Sequence, residues 1–346
     1  MKQDQIIEAA RQLFYKYGFK KVSMDEIARE AGVTKRTIYM YFSSKEELLK
    51  YFIEEELKNM KQIVEEIEKR KDLEFFESVN LGIYKLLKYK KEKDFLNIIA
   101  KEGEILKNEI ILENLELIDK QIKEYIKEKL ELAVKYNNKD ARPLYMLSIV
   151  EIETGDLDSA LDKLLWIIDA TENNFEALHN IAYIYFKKKD YDNAISYAKK
   201  SLAIFQHKVE TYLLLGDIYA IKNKEKESLQ FYEMAEMNNL KTFFLYMSWA
   251  ISLQKFNHHN KAIEKLHCAN DCLNSKKVDE VYARLALSYF RTNQKELAIK
   301  HKDIALSLNS KNYMANSIAA EIEMDNKDYK RALDYLKDCE EDFAIF

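Results

Sequence analysis

A spacing of 34 residues repeats through the second half of this chain and constrains its fold more than any other feature. A small residue returns at intervals of 34, 34, 34, 36 and 34 residues, and a large residue followed by another small one precedes it by thirteen and twelve positions. A period of this length is typical of a two-helix unit that must stack on its neighbours to bury its apolar face. The returning small residues are Ala160, Ala194, Ser228, Ala262, Ala298 and Ala332.

The composition independently favours helices. The 346 residues include six glycines and one proline, Pro143. Strand-rich folds need many tight turns, and those turns depend on these two residue types. A β-sandwich, a β-barrel or a glycine-rich phosphate-binding fold is therefore excluded, and we expect an all-α protein.

The period and its offsets resemble the tetratricopeptide repeat. Six such repeats over residues 141–346 imply a right-handed α-solenoid, with small residues where helices approach closely. Glu151 and Glu323 replace the expected aromatic residue in the first and last repeats, where we expect exposed ends to need polarity.

The first helices of the repeats predict a concave groove. Its aromatic residues, methionine and few charges suit an extended peptide or protein segment, and small signalling peptides bind such grooves in tetratricopeptide regulators of Gram-positive bacteria. The alternative is that these side chains only pack against neighbouring helices. By repeat position, the groove should carry Tyr145, Ile149, His179, Tyr183, Phe186, Asp217, Met247, Ile251, Glu280, Phe290 and Arg291.

The N-terminal residues form a small basic segment on an acidic chain. Residues 1–46 hold nine Lys or Arg and six Asp or Glu, a net charge of +3. Because the whole chain has a net charge of −4, the remaining residues have a net charge of −7. The imbalance hints at a polyanionic partner for this segment only.

Ser23 with Glu26 predicts a capping box that opens a second helix, and Gly32 ends it before Thr34 caps a third. Two short helices joined by such a turn are a helix-turn-helix unit, whose second helix enters the DNA major groove.

The stretch VSMDEIAREAGVTKRTIYMYFSSKEELL resembles the DNA-binding domain of the TetR family of bacterial regulators, and the resemblance covers about residues 3–55. It implies a dimer on an operator of two half-sites, usually a repressor released by a ligand. Residues at the start of the third helix would reach base edges, Tyr39 and Tyr41 would touch sugar-phosphate, and the start of the fourth helix would hold phosphate. The predicted DNA-binding residues are Ser23, Thr34, Lys35, Arg36, Thr37, Tyr39, Tyr41 and Lys45.

Two of these roles have alternatives. Lys35 and Arg36 could form a solvated charged turn, and Tyr39 could pack inside the three-helix head. Met40 departs from the small or polar residue expected at a contact point, so it is not included.

Between the head and the repeats we predict a helical connector that resembles the start of the TetR-family regulatory domain. Its helices should span residues 75–89, 95–106 and 110–133, and the predicted domains are therefore 1–46, 47–140 and 141–346. One apolar stripe could be a dimer seam or could pack on the fourth and fifth helices: Ile111, Leu115, Ile118, Ile122, Ile126 and Leu130.

Other chemistry has little support in the sequence. Three cysteines give no disulfide framework and fit a reducing cytoplasm. Cys268 and Cys272 fall where the repeat needs buried residues, so we predict structural thiols rather than a metal site. No nucleophile or nucleotide motif occurs. We expect no cofactor, no membrane segment and no enzymatic activity.

The sequence thus predicts a homodimeric DNA-binding transcription regulator that binds a palindromic operator, acts as a repressor and is controlled by a peptide, protein or small ligand. The alternative is a tetratricopeptide-repeat adaptor for protein assembly with weak DNA binding.

Overall fold

The computed structural model describes residues 2–92, 109–137, 139–171, 173–272 and 278–337. Within these ranges the chain forms eighteen α-helices and no strand, which confirms the all-α prediction. No helix in the described ranges has the length and apolar character needed to cross a bilayer. The predicted helix over 95–106, with Gly103, and the residue Cys339 lie outside them.

The N-terminal head consists of α1 (Lys2–Tyr17), α2 (Met24–Glu30) and α3 (Lys35–Tyr41). Each of the three helices contributes fully buried apolar side chains, among them Phe14, Ile27 and Ile38. Gly18, at a φ of 82°, ends α1, because that backbone conformation is open to glycine at little cost. The three predicted helices of the head are therefore confirmed.

The connector consists of α4 (Lys45–Glu68), α5 (Phe75–Glu92) and α6 (Glu109–Tyr136). The apolar stripe of α6 is buried from Ile118, 1 % exposed, to Leu130, 0 % exposed, in one core with residues of α4 and α5. The stripe therefore packs within this chain, as the second alternative predicted, and does not form a free dimer seam. The side chain of Ile111 lies outside the described part.

Six antiparallel helix pairs follow, as the period predicts. They are α7 (Ala141–Thr154) and α8 (Leu157–Ala170), α9 (Phe175–Lys187) and α10 (Tyr191–Ile204), α11 (Val209–Ile221) and α12 (Glu225–Met237), α13 (Phe243–Lys255) and α14 (His259–Asp271), α15 (Val278–Arg291) and α16 (Lys295–Leu308), and α17 (Tyr313–Asp325) and α18 (Tyr329–Lys337).

The chain divides into two compact units, residues 1–170 and residues 171–346. The first helix pair belongs to the first unit, where α7 packs on α6 and Leu147 joins the core of the head and connector. The other five pairs make up the second unit. The predicted domain boundary at residue 140 stays a prediction. It separates α7 from α6, although these two helices pack on each other.

The turn between the two helices of each pair uses one left-handed residue. Only the first pair has glycine there, Gly155 at a φ of 86°. The chain makes the same turn without glycine in the later pairs, which is why so few glycines suffice. The left-handed residues of those pairs are Lys189, Asn223, Asn257, Asn293 and Lys327, with φ between 56° and 63°.

One expectation about the ends of the repeats is wrong. Glu151 was expected to be exposed, but its side chain is 3 % exposed because α7 lies against both α6 and α8. Lys163 of α8 lies 2.9 Å from Glu151 Oε1 and balances its charge, whereas Oε2 has no hydrogen-bond partner. The first repeat is thus not an exposed end of the solenoid, because α6 covers its first helix, α7.

Candidate nucleic-acid interface

Side-chain caps are present at the starts of both α2 and α3. Ser23 Oγ accepts a hydrogen bond from the Glu26 N–H, and the Glu26 carboxylate accepts from the Ser23 N–H at 2.8 Å, so the predicted capping box is present. Thr34 Oγ1 accepts from the Thr37 N–H at 3.2 Å and lies 2.8 Å from Thr37 Oγ1. These bonds satisfy N–H groups that a helix start otherwise leaves unpaired, and they define where α2 and α3 begin.

The two cations at the start of α3 are exposed but differ in their partners. Lys35 Nζ lies 2.9 Å from Oδ1 of Asp25 on α2, and this contact raises the pKa of Lys35. Both side chains are more than half exposed, so the pair is worth little in stability and can be exchanged for another anion. Arg36 has no hydrogen bond or ion pair with any described residue. The guanidinium of Arg36 is therefore available for a ligand.

The rest of the outward face of α3 is apolar or aromatic. Tyr39 is 45 % exposed, Met40 76 % and Tyr41 42 %, whereas Ile38 alone is buried among the helical residues. Tyr39 is thus not enclosed in the head, which was its alternative. Met40, which the sequence analysis left out, is the most exposed of the three. The sequence feature that could have identified Met40 is its place on α3, outside the face that is buried in the core.

Lys45 is predicted to hold phosphate, but its ammonium group forms hydrogen bonds with the backbone of the head. Its ammonium donates to the carbonyl oxygens of Phe19 at 2.8 Å, Lys20 at 3.3 Å and Val22 at 2.9 Å, and it lies 4.4 Å from the centre of the Phe19 ring. The start of α4 therefore fastens the turn between α1 and α2. A phosphate contact by Lys45 stays a prediction.

The predicted groove residues belong to two different units. Tyr145 and Ile149 lie on α7 of the first unit, and the others lie on first helices of the second unit. Met247 is 5 % exposed and packs in the core of the fourth and fifth repeats, so its inclusion as a groove contact was wrong and the packing alternative holds for it. Ile251 is 38 % exposed, and Tyr183 pairs with Phe186 at a ring distance of 6.5 Å.

Three polar groove residues are engaged by other helices, His179 and Arg291 by the next repeat and Asp217 by the second helix of its own repeat. His179 Nδ1 lies 2.8 Å from Thr211 Oγ1, and burial, with the nearby charge of Lys208, lowers the pKa of His179 to about 4. Asp217 accepts from the Tyr232 hydroxyl at 2.7 Å, and burial raises the pKa of Asp217. The Arg291 guanidinium pairs with Glu321 at 2.8 Å.

A separate cleft of about 520 Å³ lies among α4, α5 and α6 within the first unit. Its floor is apolar, and one wall carries Glu68, which accepts from the Tyr125 hydroxyl at 2.8 Å and pairs with Lys129 at 2.9 Å. Burial by itself would raise the pKa of Glu68, but the hydrogen bonds from Lys129 and Tyr125 outweigh it and hold this pKa low. In the part of the chain that the structure describes, no three His, Cys, Asp or Glu side chains are grouped as metal ligands.

The capped α2–α3 pair with an exposed second helix defines a helix-turn-helix protein of the DNA-binding class. Residues 6–52 match the family model described as bacterial regulatory proteins, tetR family. The uncharacterized HTH-type transcriptional regulator YhgD of Bacillus subtilis is 33 % identical over 130 residues, which cover 38 % of this chain and 68 % of YhgD. The chain belongs to the tetR family of bacterial regulatory proteins.

Other relatives match shorter parts of the chain. The HTH-type transcriptional regulator TtgR of Pseudomonas putida is 44 % identical over 50 residues, which cover 14 % of this chain and 24 % of TtgR. YerO of Bacillus subtilis is 32 % identical over 114 residues, or 39 % of its own length. The family is that of DNA-binding transcription regulators.

The second unit carries its own family match. Residues 174–236 match a tetratricopeptide repeat model. PilF of Pseudomonas aeruginosa has a TM-score of 0.52 and 13 % identity, covering 60 % of this chain and 93 % of PilF. A tetratricopeptide repeat protein from Parabacteroides merdae has a TM-score of 0.50 and 16 % identity, covering 65 % and 89 %. At such identities these likenesses show the repeat fold alone.

Proposed function

We propose that this protein is a sequence-specific transcription repressor that binds a palindromic operator as a homodimer and releases it when its repeats bind a peptide or protein segment. The observation that carries the DNA-binding part is the outward face of α3, where Arg36 is unpaired among the described residues and the neighbouring side chains serve no core. We place the protein in the cytoplasm, without a catalytic role.

The charge and cap geometry support binding to DNA by the head. The segment of residues 1–46 carries a balance of +3 on an otherwise acidic chain, so the long-range field favours approach of a polyanion by this end. The Lys35–Asp25 pair leaves both groups in solvent, where phosphate or a base edge can replace the carboxylate. Arg36 can donate two bonds to one guanine in the major groove.

The control step follows from the geometry of an operator. Two recognition helices of a dimer must fit major grooves about one helical turn, or a multiple, apart. A ligand changes DNA affinity only if it binds the two arrangements of the dimer differently. Half-buried aromatic residues such as Tyr183 and Phe186 support a partner in the repeats, and the cleft among α4, α5 and α6 supports a small ligand as the second candidate effector.

The test begins with selection of DNA from a random pool by the full chain. We expect one enriched palindrome. Replacement of Lys35 and Arg36 by Ala should lower affinity for it by at least tenfold, since a bidentate base contact is worth about 1–3 kcal/mol. A matched control is available at Lys330 and Arg331, an exposed Lys-Arg pair on α18, whose replacement by Ala should leave DNA affinity unchanged.

Two outcomes would contradict the proposal. If no sequence is enriched, the adaptor reading is favoured, in which the repeats assemble proteins and the head binds DNA weakly. If the α3 and α18 double variants bind the palindrome equally well, α3 is not the recognition element.

A further inference from the structure

Met40 is an apolar side chain that the fold does not use. It is 76 % exposed one residue before the end of α3, while Ile38 at 0 % and Phe42 at 4 % pack this helix against the head. Tyr39 and Tyr41 on either side of it are also more than 40 % exposed. Met40 is therefore a large apolar side chain of α3 that belongs to no core in the part of the chain that the structure describes.

The chemistry of the DNA major groove offers one apolar partner for such a side chain. Each base pair presents hydrogen-bond donors and acceptors there, and thymine adds its C5-methyl group. A thioether side chain has no hydrogen to donate and is flexible enough to follow a methyl group. Contact with a base other than thymine would leave a polar edge unpaired against Met40, which is unfavourable.

We propose that Met40 determines specificity by contacting the methyl group of a thymine, and that Arg36 contacts a guanine about two base pairs away in the same half-site. This inference rests on the proposed function. Residues four apart on a helix lie on one face and are separated by about 6 Å along its axis. Successive base pairs are about 3.4 Å apart. The two side chains therefore meet positions about two steps apart when α3 lies along the groove.

The test removes single methyl groups from the operator that the full chain selects. Deoxyuridine pairs as thymine does but lacks the methyl group, so each thymine is replaced in turn and its counterpart in the other half-site with it. We expect one thymine, about two base pairs from a guanine, at which replacement weakens wild-type binding about four-fold per half-site, because one buried methyl-sized group is worth ~0.8 kcal/mol. Met40→Ala should be insensitive to deoxyuridine at that position.

The control variant is Met237→Ala, since Met237 is 79 % exposed at the end of α12 and lies in the second unit. It should keep the wild-type response to deoxyuridine. The inference is overturned if no thymine is sensitive, or if Met40→Ala loses the same affinity at that position as wild type. Uniform weakening of every operator by Met40→Ala, with the response to deoxyuridine retained, indicates a backbone contact and also overturns it. Selection of no sequence at all overturns the proposed function together with this inference, whereas a selected palindrome with no sensitive thymine overturns the inference alone.

Discussion

One close helix contact in the repeats depends on a missing side chain. The Tyr232 ring of α12 lies over Gly216 of α11, where a Cβ atom would be 2.6 Å from ring atom Cε1 and 2.7 Å from Cδ1. Tyr232 is 0 % exposed, and its hydroxyl joins Asp217 at 2.7 Å and Ser252 at 2.9 Å. The ring cannot move without breaking these bonds, so only glycine fits this position.

Replacement of Gly216 by Ala should therefore destabilise the second unit. Overpacking in a filled core costs about 1–3 kcal/mol, which outweighs the gain of up to about 1 kcal/mol that Ala brings to a helix. Thermal unfolding followed by calorimetry would show a lower transition temperature for the repeats.

The control for that substitution is Gly82→Ala in α5. There the nearest atom to a new Cβ would be Val64 Cγ1 at 3.9 Å, an ordinary contact. This variant should be neutral or more stable. If Gly216→Ala behaves as Gly82→Ala does, close packing does not explain Gly216.

At the scale of an element, the helix turns show how a chain poor in glycine makes sharp reversals. The N–H of Asp190 donates to the Tyr185 carbonyl at 2.9 Å across the left-handed residue Lys189, and the N–H of Lys224 donates to Tyr219 across Asn223. Both turns thus close the preceding helix in the same way. A left-handed conformation costs an ordinary residue roughly 1–2 kcal/mol, whereas Asn adopts it more readily.

Lys189→Asn should consequently stabilise the second repeat, by a few tenths to about 1 kcal/mol. The reciprocal change, Asn223→Lys, should destabilise the third repeat by a similar amount. Urea unfolding of each variant measures both effects. Shifts of the two midpoints in the same direction would mean that the left-handed backbone is not their cause.

The stripe of α6 illustrates what an element's own periodicity leaves open. Apolar residues at helical spacing predict that one face of α6 is covered, and Ile118 and Leu130 are indeed buried. The same spacing is satisfied by a partner subunit or by the chain itself, because burial of apolar area has no preferred partner. Only the position of α4 and α5 beside α6 decided between the two.

At the scale of the whole molecule, the division into compact units does not follow the division into sequence motifs. The first repeat has the repeat pattern, yet α7 and α8 lie in the unit of residues 1–170 with the head. Leu147 of α7 is 3 % exposed in the core that also contains residues of α4 and α6. We therefore expect the first repeat to contribute to the stability of the DNA-binding unit.

Leu147→Ala tests that expectation against Leu215→Ala, since the two leucines occupy the same repeat position and Leu215 is 0 % exposed in the second unit. Each substitution should cost about 2–5 kcal/mol. Hydrogen exchange should accelerate in α4 and α6 for Leu147→Ala and in the helices around α11 for Leu215→Ala. Faster exchange confined to α9–α18 in the first variant would contradict the division.

Most of the architecture and part of the site could be predicted from the sequence. The 34-residue period predicted six helix pairs, and the residues around Ser23, Gly32 and Thr34 predicted the helix-turn-helix, because both depend on local patterns. The burial of Glu151 and Met247 could not be predicted, since it depends on which helices lie against α7 and α13. The engagement of Lys45 with the carbonyls of a turn 23 to 26 residues earlier in the chain likewise needs the folded head.

The kind of helices, their number in the repeats and the presence of a recognition helix follow from local patterns, because caps, apolar spacing and small residues act over a few neighbouring positions. Three features required the folded chain: the first repeat packs with the connector, Gly216 receives the Tyr232 ring, and Met40 stays outside every core of the described residues. These features depend on contacts between residues distant in the chain, and such contacts leave no periodic signal in a single sequence.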